Sequence, residues 1–419
     1  MLIDLDVVPP GPAEQRASAD RSSRWLAFAL ALVGAFWLAA AAIPGRSLAP
    51  LWIVGGDFDG VVVDERQAYT LRFHQGATLV EAYRLEDGRR AWSFDEFGLA
   101  FVAVVDRATL ILATGSAVAP LTIALDVRSG EVRWRAPVLV LGRAGDLVVA
   151  SDPAQWRLAG LAIDTGTPRW QVELAAGSAV AGERDEARPA GDGRLTEVAD
   201  LAPDGALRLR DPATGAQRRQ LSVEPPGPLR APAFLVDGAF VIAETEQDSS
   251  YWYDTRTAQL ARLPSLGYLI VTDVRRCGTW ICVGNNGGLT AFDRRTGRRV
   301  WHVDGWNIFR PLEGRLALVF DVTGVEEGFV GALIDPSDGR VVDALDGWQP
   351  IDATYGRSVL LWHRMSAGGM LVAMRDARTG AHVVVGRASR WFVAPLCQVN
   401  RRYLVCASDG LAIWRLPGG

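Results

Sequence analysis

The 419-residue chain contains no lysine; all 44 of its basic residues are arginine. A lysine Schiff base and a lysine general base are therefore excluded. Histidine is nearly as scarce. His74, His302, His363 and His382 lie far apart, with no HExxH motif and no Cys–His zinc spacing, so no metal centre is expected. The four cysteines include no C-x2-C pair, which excludes a thioredoxin-like redox site. Asp57 and Asp59 in GGDFDG lack the further acidic positions of a calcium loop and read as a turn. A net charge of −4 offers no footprint for nucleic acid, and 49% apolar composition argues against disorder. Long helical periodicity is absent after residue 45, where most of the 44 glycines and 22 prolines fall.

One apolar run is long. Residues 25–43 (WLAFALALVGAFWLAAAAI) carry no charge and match the span of a transmembrane helix. Arg16, Arg21 and Arg24 precede it and Arg46 follows, which predicts an inside N-terminus. The expected organisation is a cytoplasmic tail (1–24), a transmembrane helix (25–43), a short linker (44–50) and an extracytoplasmic domain (51–419). A cleaved signal peptide with a small-residue site at Ala40–Ala42 is the alternative. Arginine in place of lysine, with abundant Ala, Val and Gly, resembles the codon bias of a high-GC bacterium. The expected location is therefore a bacterial plasma membrane.

The remainder is a repeat. A short apolar strand, often an Asp, a turn ending in Gly and a strand with Trp four residues later recur. The clear copies are LEDGRRAW (85–92), LDVRSGEVRW (125–134), IDTGTPRW (163–170) and FDRRTGRRVW (292–301). Weaker copies lie at 210–219, 253–262, 334–343 and 375–384, and IWRLPG (413–418) is a truncated ninth. The turn glycines fall at 88, 130, 166, 215, 297, 339 and 380, with Ala258 in the equivalent place. A period near 40 residues is that of a propeller blade. Asp can cap the turn and Gly supplies its positive φ. Trp92, Trp134, Trp170 and Trp301 share one blade position, where docking into the neighbouring blade is expected. Eight turn units predict an all-β propeller of eight four-stranded blades, with seven as the alternative because 250–262 is degenerate. Pairing of an N-terminal strand, near 51–54 or 61–63, with strands at 402–405 and 411–414 would close the ring and remove its edges.

The pattern x-D-x-x-T-G-x-x-x-W, clearest at 292–301 and 163–170, resembles the repeat of PQQ-like (quinoprotein alcohol dehydrogenase-like) β-propellers, which include BamB-like non-enzymatic members. The resemblance covers residues 50–419. It implies the fold and leaves the activity open. Enzymes of that superfamily combine the quinone with adjacent cysteines, a calcium set of Glu, Asn and Asp, and often a lysine. Here no cysteines are adjacent, lysine is absent, and Asn285, Asn286, Asn307 and Asn400 are the only asparagines. No cofactor is expected.

The cysteines form two close pairs, Cys277/Cys282 and Cys397/Cys406, each flanking the hairpin between a blade's first two strands. Two local disulfides are expected, with unpaired buried thiols as the alternative. Departures from the repeat point to function, because loops carry it. The largest is GERDEARPAGDGRL (182–195), a charged insertion. Trp306 and Trp348 follow Asp-Gly turns and are candidates for partner binding. The expected function is a membrane-anchored platform binding another cell-envelope protein or polymer. A quinoprotein-type enzyme and an extracellular sensor are the alternatives.

Overall fold

The computed structural model describes residues 49–416 except 99, 117–118, 185–192, 225–232, 243–249, 258, 264–270, 286, 313–315, 322–330, 356–357, 366–368, 389–395 and 409. The expected tail and transmembrane helix lie outside the described residues. Among those described, no helix is long and apolar enough to cross a membrane.

The strands form nine antiparallel sheets of four. Eight take four consecutive strands each and give blades 1–8, at residues 60–97, 100–136, 139–173, 179–222, 233–263, 271–303, 308–343 and 349–388. Blade 9 takes three strands from 396–415 and its fourth, Trp52–Gly55, from the other end of the propeller segment. The propeller therefore has nine blades, not eight or seven. Turn units undercount by one for a topological reason. Each unit marks the hairpin between a blade's third and fourth strands, and the closing blade has no such hairpin.

Burial follows position in the blade. Middle strands such as Leu147–Asp152 and Gly288–Phe292 are buried almost throughout, whereas fourth strands such as Gln217–Ser222 are mostly exposed. A sheet covered on both faces reads as a continuous apolar run, which is what AIAL, LTAF and GALI are. Hydrophobic core clusters bridge every neighbouring pair of blades, including blade 9 with blade 1 through Tyr403, Val405, Ile413, Phe58 and Tyr83. The ring is closed.

The repeat turn explains how blades engage. Asp126 Oδ1 accepts the N–H groups of Arg128 (2.8 Å) and Ser129 (3.0 Å), and Gly130 N–H donates to Asp126 O. The Arg133 guanidinium hydrogen-bonds the other Asp126 oxygen, which holds the carboxyl down at about 2. Gly130 has φ +75°, and a Cβ there would lie 2.7 Å from the Trp92 ring of the preceding blade. Trp92 Nε1 then donates to Val127 O at 2.7 Å. The indole thus stacks on a glycine and bonds the carbonyl three residues before it. Trp134 repeats this on Gly166 and Ile163 O, and Trp301 on Gly339 and Pro336 O. Trp170 stacks on Gly215, but its buried Nε1 makes no hydrogen bond among the described residues.

Both cysteine pairs are disulfides. Cys397 and Cys406 face each other across the first two strands of blade 9, with Cα atoms 4.0 Å apart. Cys277 and Cys282 are diagonal neighbours across the hairpin at Trp280, at 5.7 Å.

Gly130→Ala adds both an indole clash and a left-handed backbone, whereas Gly145, with φ +64°, has nothing within 4 Å of its would-be Cβ. Gly145→Ala is expected to cost about 1–2 kcal/mol, and Gly130→Ala roughly 1–3 kcal/mol more. Chemical denaturation of the two variants, measured side by side, checks the difference; equal costs would remove the indole from the account.

Candidate functional site

The tryptophan latch is not uniform around the ring, and its departures locate the features of interest. Trp52, in the closing strand, stacks on Gly88 of blade 1 and donates from Nε1 to Leu85 O at 3.0 Å. It is the latch of blade 9, and the repeat search missed it because no turn unit precedes it. In blade 4 the latch position, four residues past Gly215, holds Arg219. Its guanidinium donates to Thr255 O at 3.2 Å and Arg256 O at 2.6 Å of blade 5. In blade 7 the position holds Asp343, which accepts from Arg375 of blade 8.

Replacing a flat indole by a guanidinium leaves room. A cleft of about 420 Å³ opens between blades 4 and 5, lined by Glu183, Glu197, Arg218, Arg219, Asp237 and Arg256, among others. The neighbouring turn matches this substitution. Ala258 stands where the other turns have glycine, and at Gly88, Gly130, Gly166, Gly215 and Gly339 a Cβ would meet an indole at 2.4–2.8 Å. Residue 258 itself lies outside the described residues. The degeneracy of the 250–262 repeat is thus the counterpart of a missing tryptophan.

Glu183 and Glu197 stand opposite each other on the first two strands of blade 4, Ala179–Arg184 and Leu195–Leu201. Burial pushes both carboxyl pKa values up. For Glu197 the Glu183 charge adds to the rise, and for Glu183 the Asp237 charge does, although the Asp237 N–H donates to it. Asp237 in turn accepts from Arg294 at 2.8 Å, with Arg256 at 3.7 Å and Arg276 at 3.8 Å. The arrangement is a cross-strand acid pair with raised carboxyl pKa values, beside paired arginines. Of the insertion at 182–195, residues 185–192 lie outside the described residues. Gly193 O accepts from Arg143 N–H on blade 3 at 2.8 Å, which ties the insertion's end to that blade.

At the opposite end of the ring, the crossover from blade 1 to blade 2 exposes two phenyl rings. Phe97 is 83% and Phe101 56% exposed. Buried Thr78 fixes this crossover: its Oγ1 donates to Gly98 O at 2.7 Å and accepts from Ala100 N–H at 2.9 Å. Phe73, 45% exposed, ends the second strand of blade 1 at the same end.

The nominated tryptophans are placed otherwise. Trp306 is half-buried against the core between blades 6 and 7. Trp348 is half-buried, with its ring 5.4 Å from that of His363 and 5.6 Å from that of His382. Asp59 caps Phe73 N–H, and among the described residues no group of three or more His, Cys, Asp or Glu is placed to hold a metal. No sequence signal marks Phe97 and Phe101, since an apolar residue at a strand end reads the same buried or exposed.

Comparison with known proteins gives one family. Residues 76–303 match the family model described as outer membrane protein assembly factor BamB. Solved structures similar to the chain include BamB from Moraxella catarrhalis, at 18% identity and TM-score 0.42, covering 88% of this chain and 98% of that one. The computationally designed Ika8 protein is similar at 12% identity and TM-score 0.44, covering 89% and 100%. A europium-containing methanol dehydrogenase is similar at 13% identity and TM-score 0.39, covering 85% and 84%. No curated protein sequence matches the chain.

Two predictions concern the cleft. Arg219→Trp is expected to destabilise by roughly 1–3 kcal/mol, because the turn that the new indole would land on has alanine in sequence where the latched turns have glycine. Adding Ala258→Gly should recover that loss, and a double-mutant cycle on unfolding free energies measures the coupling; additive effects would contradict it. The second concerns pH. Carboxyls whose folded pKa is raised favour the folded state at low pH and oppose it as pH rises through the folded value. Glu197→Gln should therefore stabilise by roughly 0.5–1 kcal/mol at neutral pH. The gain should vanish near pH 4, where both forms are largely neutral; a gain independent of pH would contradict the acid pair.

Proposed function

We propose that this chain, which belongs to the BamB-type family of PQQ-like β-propellers, is a membrane-anchored, extracytoplasmic interaction platform in a bacterial cell envelope. The partner is another envelope protein, and it engages the end of the ring that carries Phe97 and Phe101. That exposed pair carries the proposal. Large aromatic rings held out by a hydrogen-bonded crossover lose little entropy on binding and bury much area, as interface anchors do.

Several features support the setting. Residues 25–43 have the length and composition of a membrane span, with arginines concentrated before them. All four cysteines are in disulfides, as in an oxidising compartment. The family description names an outer-membrane assembly factor, a role that belongs to that protein; the reading carried over here is only that the propeller binds protein.

A photo-crosslinking residue at Phe73, beside the aromatic pair, tests the proposal in the host envelope. A discrete adduct is expected in membranes of the otherwise native chain, and its loss when Phe97 and Phe101 are both changed to Ser. An adduct indifferent to those substitutions, or none at all, would contradict it. The topology is tested separately by a phosphatase fused after Gly419, which is expected to be active; a fusion active only as a cytoplasmic reporter would overturn the extracytoplasmic placement.

A further inference from the structure

The two ends of the ring differ in charge. In blades 1–8 the hairpins after the first and third strands lie at one end, the turn face, and the remaining connections lie at the other. On the turn face Arg128, Arg169, Arg298, Arg299 and Arg378 are exposed and make no ion pair among the described residues. They come from blades 2, 3, 6 and 8, so they are spread around the ring. Three of the acids of these turns are tied up locally: Asp126, Asp293 and Asp376 each accept N–H groups of their own turn, whereas Glu131 and Asp164 stay exposed. The turn at 293–299 alone carries four arginines against one aspartate. The opposite face exposes Asp57, Asp59, Asp204 and Asp304.

The N-terminal strand enters at the turn face. Trp52–Gly55 is antiparallel to the third strand of blade 9, Gly410–Arg415, and Trp52 lies opposite Ile413, near the end where that strand finishes. The expected anchor ends at residue 43, and a linker of seven residues (44–50) reaches at most about 25 Å. We propose that the turn face docks on the anionic lipid headgroups of the membrane that holds the anchor. The proposal rests on the anchored reading given above.

The distribution of the cations selects this partner. A single phosphate or a compact ligand needs arginines that converge on one point, whereas these lie along one face across most of the ring. An extended sheet of phosphodiesters matches that spread, and the guanidinium fork suits phosphate oxygens. Tethering keeps the face close to the surface, so individually weak contacts act together. Each arginine near an anionic surface shifts the docking equilibrium about fivefold. Docking would hold Phe97 and Phe101 away from the membrane, where a partner can reach them.

The test uses the full chain in nanodiscs of neutral lipid, or of the same lipid with phosphatidylglycerol added, read by backbone amide exchange. In anionic discs the turns at 126–130 and 293–299 should exchange several-fold more slowly than in neutral discs, and high salt should abolish the difference. Arg295→Gln, Arg298→Gln and Arg299→Gln together should lower the docked-to-undocked ratio by about a hundredfold. The crossover at 97–101 should be unaffected by lipid. Equal exchange in the two discs, or protection at 97–101 instead, would overturn the proposal. A chain that elutes free of the discs overturns the anchored reading and this proposal with it; a chain retained by the discs but indifferent to phosphatidylglycerol overturns this proposal alone.

Discussion

The ring depends on one contact: an indole laid on a turn glycine, with its N–H in most copies on the carbonyl three residues before that glycine. A single four-stranded sheet of this size cannot bury both of its faces alone. The latch fixes blades 1, 2, 3, 6 and 9 against the next at the exposed turn end, while the apolar middle strands fill the space between every pair. Because Trp52 makes the same contact from the opposite end of the propeller segment, closure is the last copy of a repeated interaction and not a separate device. Glycine is required where the latch lands, since a methyl group would sit inside the ring of the tryptophan. Where the tryptophan is lost, that clash goes with it, although Gly297 and Gly380 keep the left-handed turn conformation. Arg219 with Ala258 is such a case, and the cleft between blades 4 and 5 is its consequence.

The same architecture separates the two ends of the molecule. Turns of the repeated type bring arginine to one end in almost every blade, because the turn needs its Asp and Gly but leaves the remaining positions to solvent. The other end is built from connections of varied length, and there the phenyl rings of Phe97 and Phe101 are set out by Thr78. The ring thus has two chemically distinct ends, one rich in arginine and the other carrying exposed aromatic rings.

Much of this was legible in the residues. The Asp–Gly–Trp spacing named the blade and its docking tryptophans, and the paired cysteines fell on hairpins as their spacing suggested. Features split across the chain were not legible. The ninth blade is divided between 52–55 and 396–415, so no stretch of sequence contains it whole. Trp52 meets its glycine 36 residues later in another blade, without a preceding turn to mark its role. Arg219 occupies a recognisable position with an unrecognisable side chain. Glu183 and Glu197 face each other only because the strands pair across an insertion, and no spacing rule predicts that register. Trp306 and Trp348 were drawn to attention by their Asp-Gly neighbours, yet both are partly covered by their own blades.

The N-terminal strand completes the ring through Trp52. Amide exchange of Trp52–Gly55 and Gly410–Arg415 tests it most directly. Both strands should be as protected in the intact protein as the middle strands of blade 3, and Trp52→Ala should release both together while distant blades keep their protection. Rapid exchange of Trp52–Gly55 in the unaltered chain, with Gly410–Arg415 still protected, would contradict the nine-bladed closure.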